Sequence, residues 1–151
     1  MNTVIEAPGR AALRDNLVTT IHKTGRFSYL MEALHATGLA ATLKGSGPFT
    51  LFAPDDDAFG KVDERTLTDL FEPGQRGRLM RIMKLHIVLG QVTALDIDDK
   101  PFMLRSAQGG VLAIDPTNGF TVNQARIKQR GLLASNGVAH MIDALLVPAG
   151  N

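Results

Sequence analysis

A run of three carboxylates, Asp55-Asp56-Asp57, is one place in the 151-residue sequence where side chains could do chemistry. Oxygen ligands of this kind suit Ca²⁺ or Mg²⁺. An EF-hand loop does not fit, because its fifth position would be Phe59. The structural alternative is a helix start, with Asp55 after Pro54 as the N-cap and the next two aspartates in the first turn, where negative charge suits the helix dipole. This alternative is favoured, so no metal and no cofactor are predicted.

Two histidines, His86 and His140, fall within apolar runs and could form a base or a pair of metal ligands. Their spacing does not make a zinc site, because the chain has no cysteine and neither histidine has a nearby acidic ligand. Asp143 faces the opposite side of its predicted strand from His140, which argues against a local His–Asp couple. We therefore predict hydrogen-bonded core histidines at both positions.

Nucleophilic and phosphate-binding motifs are absent from the sequence. Without cysteine there is no thiol nucleophile, and no G-x-S-x-G elbow presents a serine. Gly45-Ser46-Gly47 precedes a proline and a strand, whereas a phosphate loop must open a helix. We therefore predict no catalytic residues and a protein that is not an enzyme.

Composition is typical of a soluble globular fold, with 44% apolar residues, 21% charged residues and a net charge of +1. Basic residues form no stripe, so nucleic acid is not an expected partner. No apolar stretch approaches the about 18 residues of a transmembrane helix. The first twenty residues also lack the uninterrupted apolar core of a signal peptide. The protein is therefore predicted to be secreted, periplasmic or at the cell surface if a leader was removed, and otherwise cytoplasmic.

Helices predominate in the N-terminal half around one strand-to-helix corner. The corner is a turn at 45–48, a strand at Phe49–Ala53 that stops at Pro54, and a helix capped by Asp55. The other predicted helices run over Arg10–Lys23, from a Ser28 cap to before Gly38, over Leu39–Leu43, from Asp63 or Thr66 to before Pro73, and over Gln75–Leu85.

Short strands separated by turns predominate in the C-terminal half, a pattern typical of antiparallel hairpins. The predicted strands are His86–Val88, Phe102–Arg105, Val111–Ile114, Phe120–Asn123, Arg126–Lys128 and Val138–Val147. A type I′ turn is predicted at Asn136-Gly137. The last strand is apolar on both faces and should lie buried in the middle of the fold. The fold class is therefore α+β.

Three blocks of sequence resemble the fasciclin domain: 47–59 (GPFTLFAPDDDAF), 83–90 (MKLHIVLG) and 134–143 (ASNGVAHMID). The chain is similar to a single-domain, bacterial-type fasciclin-like protein, with a flexible lead-in at 1–9, one domain at 10–148 and a tail at 149–151. The resemblance implies a wedge of antiparallel-rich strands flanked by helices. It also implies a non-enzymatic adhesion or interaction module at a cell surface or in a matrix, with protein or polysaccharide partners. The family-motif residues, expected to be mainly structural, are Thr50, Phe52, Ala53, Pro54, Asp55, Asp56, Phe59, His86, Asn136, Gly137, His140 and Asp143.

Two positions depart from the family pattern. Leu85 stands where an aromatic residue usually precedes the histidine, and Gly131-Leu132 stands where integrin-binding members carry Asp-Ile. Animal-type integrin binding is therefore not expected.

An alternative function is a carrier of a small apolar ligand, either carotenoid-like or lipid-like. Methionines are adaptable pocket residues, and those that could line such a pocket are Met31, Met80, Met83, Met103 and Met141. The alternative interpretation, in which these methionines fill the core, is favoured.

Overall fold

The computed structural model describes residues 15–90, 101–118 and 120–146. The predicted lead-in at 1–9 and the tail at 149–151 lie outside these ranges, as does the beginning of the helix predicted from Arg10.

Six α-helices lie in the described part of the chain, all of them before residue 86. They are α1 (Leu17–Thr24), α2 (Ser28–Ala36), α3 (Leu39–Thr42), α4 (Asp56–Gly60), α5 (Glu64–Leu70) and α6 (Arg76–Leu85), with short 3₁₀ turns at Pro73–Gln75 and Pro116–Asn118. The predicted placement of helices in the N-terminal half is confirmed.

Two predicted helix starts are wrong because other side chains satisfy the first backbone N–H groups. Asn16 has extended backbone and its side chain accepts a hydrogen bond from the Thr19 N–H, so α1 begins at Leu17 and the helix predicted from Arg10 does not run through Asn16. Ser28 does not cap α2, where Phe27 occupies the N-cap position without a side-chain bond. Asp56 from α4 accepts the Tyr29 N–H instead, at 3.0 Å.

Seven strands in the described residues form one sheet. They are β1 (Phe49–Pro54), β2 (Ile87–Leu89), β3 (Phe102–Arg105), β4 (Val111–Asp115), β5 (Thr121–Val122), β6 (Ala125–Ala134) and β7 (Gly137–Ile142), in the spatial order β2-β1-β7-β6-β5-β4-β3. The pair β1–β7 is parallel, and the other neighbouring pairs are antiparallel. The prediction of an α+β fold rich in antiparallel strands is confirmed.

The last hairpin differs from its prediction in three ways. β6 is one long, irregular strand that includes the segment predicted to end at Lys128. β7 ends at Ile142 rather than Val147, because the Asp143 carboxylate accepts the Arg126 N–H at 2.8 Å and takes the place of a strand carbonyl. The turn is not type I′, since neither Asn136 nor Gly137 has a positive φ.

Two apolar clusters lie on opposite faces of the parallel pair. Leu51, Ala139 and Met141 belong to the cluster that packs against the helices. Phe52 and Ile142 belong to the second cluster, under the hairpins β3–β6. Every residue of β1 and β7 is buried, which confirms that the last strand is buried on both faces.

Candidate functional site

The three sequence blocks meet along β1 and β7, so the family-motif residues lie close together. The parallel register places Phe52 opposite His140 and Pro54 opposite Ile142. The middle block joins at the other side of β1, where the His86 carbonyl accepts the Phe52 N–H at 2.8 Å. Any function of these residues must therefore be sought in what their polar side chains contact.

Asn136 ties three separate segments together. Its amide nitrogen donates to the carbonyls of Leu43 and Gly45 at 2.6 and 2.7 Å, and its amide oxygen accepts the Leu17 N–H at 2.9 Å. Its backbone carbonyl accepts the Phe49 N–H. The side chain thus satisfies the N-terminus of α1 and the loop before β1, with both amide groups engaged.

Gly137 is required by the close approach of β1. A Cβ at this position would lie 2.0 Å from the Phe49 carbonyl oxygen, which is backbone and cannot yield like a flexible side chain. The Asn-Gly pair therefore serves the contact between two strands rather than a turn with positive φ.

The three aspartates at the start of α4 have separate structural contacts. Asp55 is buried, and its Oδ1 accepts the Ala58 N–H at 2.9 Å, which confirms the predicted cap. Its Oδ2 accepts a hydrogen bond from Lys128 Nζ at 2.5 Å. The Asp56 N–H donates to the Arg26 carbonyl, and Asp57 is 89% exposed.

A cavity of about 260 Å³ opens beside these aspartates and is lined also by Gly25, Arg26 and Lys128. The positive charge next to Asp55 is the Lys128 ammonium, which also lies 3.8 Å from Asp57. Sequence reasoning missed Lys128, because 73 residues separate it from Asp55 and no local pattern links the two.

His86 is fully buried at the C-terminus of α6, as its C-cap residue and not within a strand as predicted. Its Nδ1 lies 2.7 Å from the Ile82 carbonyl, and its Nε2 lies 2.9 Å from the Leu146 N–H. A carbonyl only accepts and an N–H only donates, so Nδ1 carries the proton and Nε2 accepts. The predicted buried hydrogen bond is confirmed.

Burial sets the charge state of this imidazole. Desolvation lowers the pKa of His86 from 6.5 to about 4, and the hydrogen bond to the Ile82 carbonyl opposes this only in part. The ring is therefore neutral at pH 7 and both nitrogens are occupied by backbone. His86 is not available as a base or a metal ligand in this arrangement.

The remaining polar motif residues also contact backbone. His140 is buried, its Nδ1 accepts the Gly131 N–H at 3.1 Å, and its ring lies 5.6 Å from that of Phe52. The Thr50 hydroxyl donates to the Gly90 carbonyl at 2.7 Å. Within the described ranges, no group of three or more His, Asp or Glu side chains is arranged to hold a metal ion.

The five methionines do not line one pocket, so the structural basis proposed for a methionine-lined carrier site is wrong. Met83 and Met141 are buried in the helix-side core. Met31 and Met80 pack against that core from its edge. Met103 is 69% exposed on β3.

An apolar groove of about 230 Å³ lies between the helices α4, α5 and α6 and the segment that follows β7. Its lining residues, which define the apolar groove below, are Ala58, Lys61, Val62, Thr66, Leu70, Arg78, Ile82, Ala144 and Leu145. No pattern in the sequence indicated this groove, because its walls come from four segments that only the tertiary fold brings together.

A family model for the fasciclin domain matches residues 25–148. The chain belongs to the fasciclin domain family.

Relatives of this fasciclin domain include both short and long proteins. The Synechocystis protein sll1735 is 36% identical over 132 residues, covering 87% of this chain and 97% of that protein. Transforming growth factor-beta-induced protein ig-h3 of Sus scrofa is 33% identical over 132 residues, covering 83% of this chain but 18% of that protein. The domain thus corresponds to nearly all of one relative and to a small part of the other.

A solved structure of a FAS1 domain pair from the insect cell adhesion molecule Fasciclin I has the same fold. The TM-score is 0.78, over 89% of this chain and 51% of that chain, at 15% sequence identity. The likeness confirms the predicted fasciclin fold.

Of the two departures from the family pattern, one is buried and the other is half-buried in the last hairpin. Leu85 is buried in the hairpin-side core. Gly131 donates its N–H to His140, and Leu132 pairs with Ala139 in the β6–β7 ladder.

Proposed function

We propose that this fasciclin domain is a non-enzymatic adhesion or interaction module that binds a protein or polysaccharide at a cell surface or in a matrix. The observation that carries the proposal is that polar side chains of the family motif make structural contacts inside the domain. The polar side-chain atoms of Asp55, His86 and Asn136 are all engaged, either in hydrogen bonds to backbone groups or in an internal ion pair. Catalysis needs a group free to contact a substrate, and none of these three is free.

The relatives support the same class of function. Insect Fasciclin I is a cell adhesion molecule, and a fungal relative at 27% identity is a fasciclin-like arabinogalactan protein. None of the helices in the described part of this chain has the length and hydrophobicity to cross a bilayer. In the proposed function, binding falls to exposed side chains on loops and helices.

The departures at Leu85 and Gly131-Leu132 support a partner other than an animal-type integrin. Leu132 is held within the β6–β7 hairpin by pairing with Ala139, and Gly131 by its hydrogen bond to the His140 ring. Neither Gly131 nor Leu132 carries a carboxylate, whereas the integrin-binding members have an aspartate at this place.

The experiment that tests the proposal compares retention of envelope and cytosolic material from the source cells by the immobilised domain. We expect saturable retention of an envelope protein or polysaccharide, and protease or periodate treatment of the envelope distinguishes the two classes. Heat-unfolded protein immobilised at the same density is the control.

Two kinds of result in this assay would contradict the proposed function. Retention of envelope material that does not saturate, or that the unfolded control matches, contradicts a specific interaction module. Equal retention from cytosol and envelope contradicts a role at the cell surface.

A further inference from the structure

We propose that the apolar groove binds a single aliphatic chain that ends in a carboxylate, as in a medium-chain fatty acid. This proposal does not depend on the adhesion function. The apolar groove is also distinct from the methionine-lined pocket considered in the sequence analysis. The proposal is based on the groove's floor, its size and the charges at its rim.

The floor of the groove is apolar and comes from rigid elements. Ala58 on α4, Leu70 on α5 and Ile82 on α6 are buried. Val62, Ala144 and Leu145 are half-buried and form its walls. An aliphatic chain laid between these walls would leave water at little cost in protein rearrangement, because the helices already hold the cleft open.

Size favours a slender occupant. The volume of about 230 Å³ is below the roughly 300–1,000 Å³ of sites that enclose drug-sized ligands. A ring system such as a carotenoid end group needs a wider cavity, whereas one extended alkyl chain can fill a narrow cleft.

The charge at the rim favours an anionic head group. Among the described residues, Lys61 and Arg78 are the charged residues that line the groove, and none of these lining residues carries a carboxylate. Lys61 is 59% exposed and only loosely paired, with its Nζ 3.6 Å from Asp143 Oδ2. Long basic side chains place their stems along apolar surface and their charge in water, which suits a ligand with a buried chain and an exposed carboxylate.

Arg78 is the cation best placed to select such a ligand. Its guanidinium forms no ion pair with any residue in the described ranges. Arg76, on the same helix, instead donates to the Ala36 carbonyl and does not line the groove. A guanidinium that forms no ion pair within the described residues can donate two parallel hydrogen bonds to a ligand carboxylate.

The test is a titration of ¹⁵N-labelled protein with decanoate below its micelle concentration, followed by amide chemical shifts. We expect saturable shifts at α4, α5, α6 and residues 144–145. Decyltrimethylammonium should bind more weakly than decanoate, and 1-decanol should fall between them. Shortening the chain to octanoate should weaken binding by up to about fourfold for each methylene removed.

Arg78→Ala should weaken decanoate binding by about two- to fivefold, as expected for a half-solvated ion pair. Arg81→Ala is the matched control, since Arg81 is exposed on the same helix but does not line the groove. Both residues are exposed, so neither change should unfold the protein. No saturable shift with decanoate overturns the proposal, as do shifts centred elsewhere, equal binding of the cationic analogue, or equal effects of the two arginine substitutions.

Discussion

Asp55 illustrates how one carboxylate can serve two neighbours at once. Oδ1 caps α4 through the Ala58 N–H, and Oδ2 accepts a hydrogen bond from Lys128 on β6. The first contact is local and follows from an aspartate placed just before a helix. The second joins the helix to a strand far along the chain, so Asp55 fixes the position of α4 as well as its start.

Replacing Asp55 with Ala should lower the free energy of unfolding by about 2 kcal/mol, the upper end of the range for losing an N-cap. The upper end is expected because Lys128 also loses its partner. Asp55→Asn should cost less, since an amide oxygen can still cap the helix. Urea denaturation at pH 7 measures the free energy of unfolding of wild type, Asp55→Ala and Asp55→Asn.

Asp57→Ala is the matched control for this prediction. Its side chain is 89% exposed and 3.8 Å from Lys128, so the change should cost about 0.5 kcal/mol or less. Equal stability losses at positions 55 and 57 would contradict the specific role assigned to Asp55.

The buried imidazole of His86 makes the stability of the protein dependent on pH. In the unfolded chain a histidine gains its proton near pH 6.5, whereas the folded pKa of His86 is about 4. The unfolded state therefore binds more protons between these values. The contribution of the neutral ring is complete above about pH 6.5 and is lost progressively as the pH falls toward 4.

This loss should reach about 3 kcal/mol, the free energy that corresponds to the difference between the two pKa values. Carboxylates titrate over the same interval, so the test compares urea denaturation of wild type and His86→Gln from pH 7.5 to 4. The variant cannot titrate at this position and should lose less stability on acidification.

Nuclear magnetic resonance of the wild-type ring tests the same claim without a substitution. At pH 5.5 the His86 ring should be neutral, with its proton on Nδ1. A positively charged ring, with protons on both nitrogens at that pH, would contradict the burial and the two backbone contacts.

Residue roles were predictable from sequence only where the partner was near in the chain. Asp55 and its cap partner Ala58 are three residues apart, and the cap was predicted. Asn136 contacts Leu17 across 119 residues and Leu43 across 93 residues. From the sequence, its identity indicated only a turn. The three segments that its amide joins come together only in the tertiary fold.

At the scale of elements, the parallel contact between β1 and β7 organises the fold. It joins a strand from the helical half to the last strand of the hairpin half, in register from Phe49–Gly137 to Pro54–Ile142. The start of this contact leaves no space for a side chain at Gly137. The element is therefore sensitive to a single added methyl group.

Gly137→Ala should destabilise the protein by at least about 3 kcal/mol, because the strands must separate to admit the methyl group. Gly60→Ala is the control, since a Cβ there meets nothing within 4 Å. That change should be neutral or stabilising by up to about 1 kcal/mol. Thermal melts of the two variants check the contrast, and a Gly137→Ala protein as stable as wild type would refute the close approach.

Element types were predicted well, and element ends less well. An apolar stripe indicated α6, and a short apolar run between turn residues indicated β3 as Phe102–Arg105, as the structure has it. The ends of α1 and β7 were wrong because side chains, Asn16 and Asp143, replaced a backbone partner at each end. Such competition depends on which groups are brought together, which periodicity does not encode.

At the scale of the whole molecule, one sheet separates two apolar cores, and the polar motif residues tie its strands to the surrounding segments. The fold class could be inferred from the helices predicted in the N-terminal half and the hairpins predicted in the C-terminal half, and the family from the three sequence blocks. The apolar groove could not, because its lining is contributed by separate elements. The motif side chains are assigned to the scaffold, and the proposed binding surface consists of exposed side chains, so stability and binding should respond to different substitutions.

The most direct test of this separation measures retention of envelope material per folded molecule for wild type and Asp55→Ala, with the folded fraction determined in the same samples. The motif side chain is assigned to the scaffold, so retention per folded molecule should be unchanged although the variant unfolds at lower urea concentration. Loss of retention per folded molecule in Asp55→Ala would show that Asp55 belongs to the binding surface, and would contradict the account.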